Sequence, residues 1–228
     1  PDSDGSQRGV FPLTPLQQGL LYHCLASGAR DTYVVQVAAA VKSPISPAVF
    51  ERAWTRVVAR HEALRTSIHW ETSGLPYQRV HPTVPSRWTT LDLSAEDPRA
   101  AAATVTELMT TALAGGFDLV TAPLASVACV RRSAELCEIV LTNHHLILDG
   151  WSLGVLLGEW FEIAQAEIEQ RPPKLEPPVS FSEVIARRSP VSDAAAEAFF
   201  AEYLKGASTA SHVPSGESTE PHRARKLR

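Results

Sequence analysis

The chain has 228 residues but only three cysteines, Cys24, Cys129 and Cys137, and a single methionine. The cysteines are odd in number and lack metal-ligand spacing, so neither a disulfide framework nor a cysteine-built metal centre is expected. Buried thiols in a reducing cytoplasm fit better. No run of about 18 apolar residues occurs, which argues against a transmembrane helix and a membrane partner. The polar start of the chain lacks the apolar core of a signal peptide. Lysine and arginine number 21 against 25 acidic residues, a net charge of −4. That balance gives no basic field for nucleic acid. No Gly-x-Gly-x-x-Gly or Walker pattern is present to cradle phosphates. Ser152 has no Gly-x-Ser-x-Gly context, so a serine hydrolase is not expected.

Hydrophobic residues make up 44% of the sequence, enough for one large core or two small ones. Thr14 is placed to cap a helix that has Pro15 at its first position and runs to about Ser27, with Leu16, Leu20, Leu21 and Leu25 at helical spacing. Residues 33–42 are rich in β-branched residues and read as a strand. Ser46-Pro47 opens a second helix ending near His61. Residues 66–70 and 77–81 read as a hairpin around Gly74. Asp97-Pro98 opens an alanine-rich helix that stops at Gly115-Gly116. Strands follow at 124–131 and 136–142, then a helix at 152–169. Pro172-Pro173 and Pro177-Pro178 mark a linker. Two short helices are expected at 181–188 and 194–205. Residues 1–10 are expected to be flexible, 11–205 to form the folded body, and 206–228 to be a flexible tail or the start of a crossover. Strands mixed with helices predict an α/β fold, a two-layer sandwich of a mixed sheet and helices.

The chemistry concentrates between the last strand and the helix that follows it. There His144-His145-Leu146-Ile147-Leu148-Asp149-Gly150 puts two imidazoles and a carboxylate in a turn, a position held by scaffold yet accessible. A neutral imidazole suits proton transfer near pH 7. Adjacent residues in extended backbone point to opposite sides, so His144 and His145 should not share one role. The same divergence argues against a metal site built from His144, His145 and Asp149. Gly150 is placed for close backbone approach and an unusual φ. Trp151 is expected to pack, with a place in a substrate channel as its alternative. Gln17, Gln18 and His23 either line a channel or decorate a helix. His61, His69 and His81 are expected to be solvated or satisfied in the core.

The turn resembles the His-His-x-x-x-Asp-Gly motif of the condensation domains of nonribosomal peptide synthetases and of the wider chloramphenicol-acetyltransferase-like superfamily. Residues 13–23, Leu13 to His23, resemble the first motif of those domains. Arg60-His61-Glu62-Ala63-Leu64-Arg65-Thr66 resembles the second. The resemblance covers residues 11–204 and corresponds to the N-terminal lobe of a V-shaped, two-lobed domain about twice as long.

The resemblance implies amide formation between an upstream acyl or peptidyl thioester and a downstream aminoacyl amine. Both would arrive on phosphopantetheine arms of carrier proteins, with no cofactor resident in this lobe. Adjacent synthetase modules and a C-terminal lobe would be partners, and the product an antibiotic or siderophore. His145 would be the catalytic histidine facing the channel, and the Gly150 amide a candidate oxyanion donor. His144, Asp149 and Arg65 would support the site, Asp149 through an ion pair with Arg65, or alternatively Arg60. Leu146-Ile147-Leu148 and the opening of the first motif resemble the subtype that takes a donor ending in a D-residue. Two other readings compete: a superfamily O-acyltransferase, and a non-catalytic lobe that docks carriers or scaffolds. Without a second wall, an isolated lobe is expected to be inactive, with His145 in solvent and an apolar inter-lobe face exposed.

Overall fold

The computed structural model describes residues 9–42, 46–71, 74–187 and 193–207. Residues 1–8 and 208–228, for which flexibility was expected, lie outside these, as does Arg188. The chain divides into two compact units, residues 1–187 and 188–228. The second contributes helix α6, Asp193–Tyr203, on which Phe199 stacks with Tyr203 at 5.8 Å between ring centroids.

In the first unit, strand β1, Val10–Pro12, precedes helix α1, Pro15–Ser27. The N-terminus of α1 carries a full capping box. Thr14 accepts from the Gln17 amide nitrogen, and the Gln17 side chain accepts in return from the Thr14 backbone. Gly28, left-handed at φ 65, stops the helix. Strand β2 is Val34–Lys42, and helix α2, Pro47–Arg60, is capped by Ser46. A 3₁₀ turn, Glu62–Arg65, leads into β3, Thr66–His69, which pairs antiparallel with β4, Tyr77–Val80. β1 pairs with the other edge of β4, completing a three-stranded sheet.

β5, Trp88–Asp92, precedes α3, Pro98–Gly115, whose cap Asp97 accepts from the amides of Arg99 and Ala100. Gly116 is fixed by sterics. It has φ 54, and a Cβ there would lie 2.0 Å from the Arg30 carbonyl oxygen. β6, Ala125–Arg131, β7, Leu136–His144, and α4, Gly150–Ile168, follow. α5 is Phe181–Arg187.

The second sheet has the order β2-β7-β6-β5 and is mixed: β5 runs parallel to β6 and the other pairs are antiparallel. α2 and α4 cover one face of it. Their core residues Phe50, Trp54, Val57, Leu156 and Trp160 meet Val127, Cys129, Ile139 and Leu141. Trp160 is fully buried, and its indole N–H donates to the Phe50 carbonyl at 2.9 Å, so its one polar group is satisfied. Ala101 and Val105 of α3 pack on Val130, on the opposite face. Cover on both faces explains why Ile139, Val140 and Leu141 of β7 are all buried, with no polar alternation.

Several expectations shift. β1 and β5 were not anticipated. β7 extends two residues further than expected, to His144. Of the leucines its periodicity selected, α1 buries Leu21 and half-buries Leu20, but Leu16 is 73% exposed and Leu25 47%, while Gln17 is only 8% exposed. The inward face is made by Gln17, Leu21 and Cys24, so a polar side chain shares it with the core residues.

Candidate functional site

β7 ends inside the motif, and its neighbours fix the two histidines differently. The His144 backbone N–H donates to the Leu124 carbonyl at 3.0 Å. The His145 N–H donates to Tyr33 on the other side, at 2.9 Å. Tyr33 holds the left-handed conformation, φ 61, a strained state for a bulky residue, found chiefly where surroundings enforce it. Its carbonyl is therefore presented to His145 at a local cost.

His144 is 1% exposed. Its Nδ1 accepts from the Leu146 N–H at 3.1 Å, so the ring proton sits on Nε2, 3.7 Å from the Cys24 sulfur. Burial pushes its pKa down to about 4, against an opposing hydrogen bond with the Thr32 backbone. It is held neutral inside the lobe.

His145 is half-buried. Its Nδ1 lies 2.9 Å from the Leu148 carbonyl oxygen. A carbonyl only accepts, so Nδ1 is the protonated nitrogen and Nε2 carries the lone pair. Among the described residues, no hydrogen-bond partner is recorded for Nε2. An oriented imidazole with a free Nε2 is the arrangement a general base requires.

Asp149 takes a different part from the ion pair expected of it. Its Oδ1 accepts from the Ser152 N–H at 2.8 Å and the Ser152 hydroxyl at 2.6 Å, capping α4. Those bonds hold its carboxyl below the usual aspartate range. Arg65 donates instead to the carbonyls of Val58, at 3.1 Å, and of His81. Arg60, the alternative partner, is bound to Glu159 at 2.7 Å. The carboxylate is satisfied where the first turn of α4 offers free N–H groups. The Arg65 guanidinium is satisfied by carbonyls that α2 and the end of β4 leave unpaired.

Gly150 opens α4 and is exposed. Its φ is not positive and nothing lies within 4 Å of a Cβ placed there, so neither close approach nor unusual backbone requires glycine within this chain. Trp151, expected to pack, is 87% exposed. It lines the rim of a cavity of about 330 Å³ whose walls include Leu146, Ile147, Leu148, Val155 and Phe181. Gln18 donates to the Leu13 carbonyl at 3.2 Å, and exposed His23 lies edge-on to Tyr33. Neither is brought to His145 by a recorded contact. Gln17 is one wall of the cavity and is bonded to the turn itself: its Nε2 donates to the Leu146 carbonyl at 2.9 Å.

The second motif works as a clasp, which sequence reasoning missed. Glu159 receives Arg60 and the His61 Nε2, each at 2.7 Å. Burial would raise the Glu159 carboxyl, but these bonds bring it below its ordinary range. Arg60 also donates to the Glu176 carbonyl. Glu62 accepts from the Ser180 hydroxyl, at 3.0 Å, and from the Phe181 N–H, at 3.1 Å. Together they tie the proline-rich linker and the start of α5 against the cavity. The acidic and basic pattern of 60–65 was visible; its partners, about 100 or more residues away, were not.

All three cysteines are buried, and burial raises each thiol, Cys129 to about 12. None is a ready thiolate. Among the described residues, no group of three or more His, Cys, Asp or Glu is placed to hold a metal, and no helix is long and apolar enough to cross a membrane.

A family model described as the condensation domain matches residues 7–226. Among curated proteins, the chain is 35% identical to a linear gramicidin synthase polypeptide of Brevibacillus parabrevis over 202 residues, 86% of this chain and 4% of that one. It is 32% identical to a second polypeptide of the same synthase over 216 residues, 94% of this chain and 3% of that one. It is 27% identical to bacitracin synthase 1 of Bacillus licheniformis over 205 residues, 90% of this chain and 4% of that one. Among solved structures, the starter condensation domain of rhizomide synthetase aligns with a TM-score of 0.74 at 19% identity, over 86% of this chain and 49% of that one. The first condensation domain of the calcium-dependent antibiotic synthetase aligns with a TM-score of 0.71 at 19% identity, over 86% and 47%. At these identities the structural likeness shows the fold. The chain spans about half the length of these solved chains.

Proposed function

The chain belongs to the condensation-domain family, and on that premise we propose that it is the N-terminal lobe of a peptide bond-forming acyltransferase. The substrates are an acyl or peptidyl thioester on an upstream carrier protein and the amine of an aminoacyl group on a downstream carrier, each on a phosphopantetheine arm. The observation that carries this reading is the His145 ring, tied at Nδ1 to Leu148 and open at Nε2.

The amine nitrogen attacks the thioester carbonyl and forms the C–N bond. Nε2 of His145 accepts the proton the nitrogen loses, the C–S bond breaks, and that proton passes on to the departing sulfur, which leaves as a thiol. Orientation of the two substrates supplies much of the rate. The resemblance assigns oxyanion binding to the Gly150 amide. Asp149 already places a carboxylate at that end of α4, which weighs against a strongly positive site there. The donor is of the D-residue subtype, on the strength of Leu146-Ile147-Leu148. The setting is cytoplasmic, where the three buried thiols stay reduced.

Activity requires the second lobe, which supplies the opposite wall of the channel and excludes water. The test is amide formation from loaded carrier proteins, with and without a supplied C-terminal lobe, using donors ending in D- and L-residues. Product only with both lobes, and faster with the D-donor, is expected. Equal rates from this chain alone overturn the two-lobe requirement, and no product in any combination overturns the reading.

A further inference from the structure

We propose that Gln17 is a positioning residue for His145, acting through the peptide group that follows the histidine. The Leu146 peptide is gripped on both sides. Its N–H donates to His144 Nδ1 at 3.1 Å, and its carbonyl accepts from Gln17 Nε2 at 2.9 Å. Leu146 is 3% exposed, so water does not readily replace the Gln17 amide. Two residues on, the Leu148 carbonyl holds the His145 ring at 2.9 Å. Gln17 therefore fixes one end of the three-residue segment whose other end sets the tautomer of His145.

Gln17 is itself immobilised. Its Oε1 accepts from the Thr14 N–H at 2.9 Å, closing the capping box of α1. Its amide also pairs reciprocally with that of Gln78, at 3.1 and 3.3 Å, and Gln78 in turn donates to the Pro12 carbonyl at 3.1 Å. Gln78 is 1% exposed. A buried amide pair of this kind is rigid when every member is satisfied. It relays the position of α1 and β4 to the motif turn.

The two glutamines separate positioning from stability. Both lose buried hydrogen bonds when replaced by leucine, so both variants melt earlier. Only Gln17 bonds to the turn. The experiment is long-range ¹H–¹⁵N NMR of the His145 ring in the full 228-residue chain, for the parent, Gln17→Leu and Gln78→Leu, at a pH where the imidazole is neutral. The parent is expected to show the Nδ1–H tautomer. Gln17→Leu is expected to change the tautomer ratio by about threefold or more, and Gln78→Leu to leave it unchanged despite the lower melting temperature. Should Gln17→Leu fail to fold, Gln17→Glu gives the same test, because an ionised carboxylate keeps the acceptor for Thr14 but loses the donor for Leu146. An unchanged ring in folded Gln17 variants, or an equal change in Gln78→Leu, overturns the proposal. The readout needs no activity, so it stands or falls apart from the proposed reaction.

Discussion

The His145 imidazole and the Leu148 carbonyl oxygen are 2.9 Å apart, and that contact defines the motif turn. It closes a loop three residues wide that aims the ring from within its own segment. Neither Asp149 nor Arg65 takes part. The Asp149 carboxylate caps α4, and the Arg65 guanidinium ties α2 to the end of β4.

Asp149→Ala should therefore cost what a lost helix cap costs, about 1 kcal/mol. Arg65→Ala should cost more, since it leaves the Val58 and His81 carbonyls without their donor. The two effects should add in a double-mutant cycle measured by urea denaturation. A coupling energy above about 1 kcal/mol would show that the residues interact.

His144 predicts an acid-sensitive fold. Its ordinary value is 6.5, and burial lowers it to about 4 in the folded chain. Between those values the unfolded chain binds more protons, so the contribution is complete above about pH 6.5, falls with pH, and is gone below about pH 4. The gap corresponds to about 3 kcal/mol. Denaturation curves from pH 7 to 4 should show this loss, and His144→Gln should flatten it whatever its absolute stability. An identical slope in the variant would place the titration elsewhere.

Glu62→Ala should free the linker and α5 while leaving the sheets intact. The carboxylate holds the Ser180 hydroxyl and the Phe181 amide at 3.0 and 3.1 Å. Hydrogen exchange of residues 176–187 should speed up by about tenfold or more, as for loss of a charged hydrogen bond. Exchange at parental rates would mean the clasp adds nothing in solution.

What sequence reading recovered follows from how local each signal is. β7, the turn and α4 were legible because a β-branched run gives way to helical spacing across six residues. Thr14 and Pro15 announced α1, and Thr14 with Gln17 matched the capping-box pattern, a signal for the role of Gln17 that went unused. Asp149 three residues before Ser152 was likewise a readable cap. The burial of Gln17 was not legible, because its partner Leu146 is 129 residues away. Arg65 binds backbone carbonyls, which no side-chain pattern encodes. β5 was hidden by its length of five residues and the prolines just before it.

Single-turnover amide formation by a complete two-lobe domain carrying this sequence, with loaded carriers and a slow acceptor amine, tests His145 most directly. His145→Ala should stay folded, with a melting temperature lowered only by loss of the Leu148 contact, and lose about 10²–10⁴-fold in rate, the span expected for a missing general base. Turnover within about threefold of the parent, well short of that span, would contradict proton transfer at Nε2.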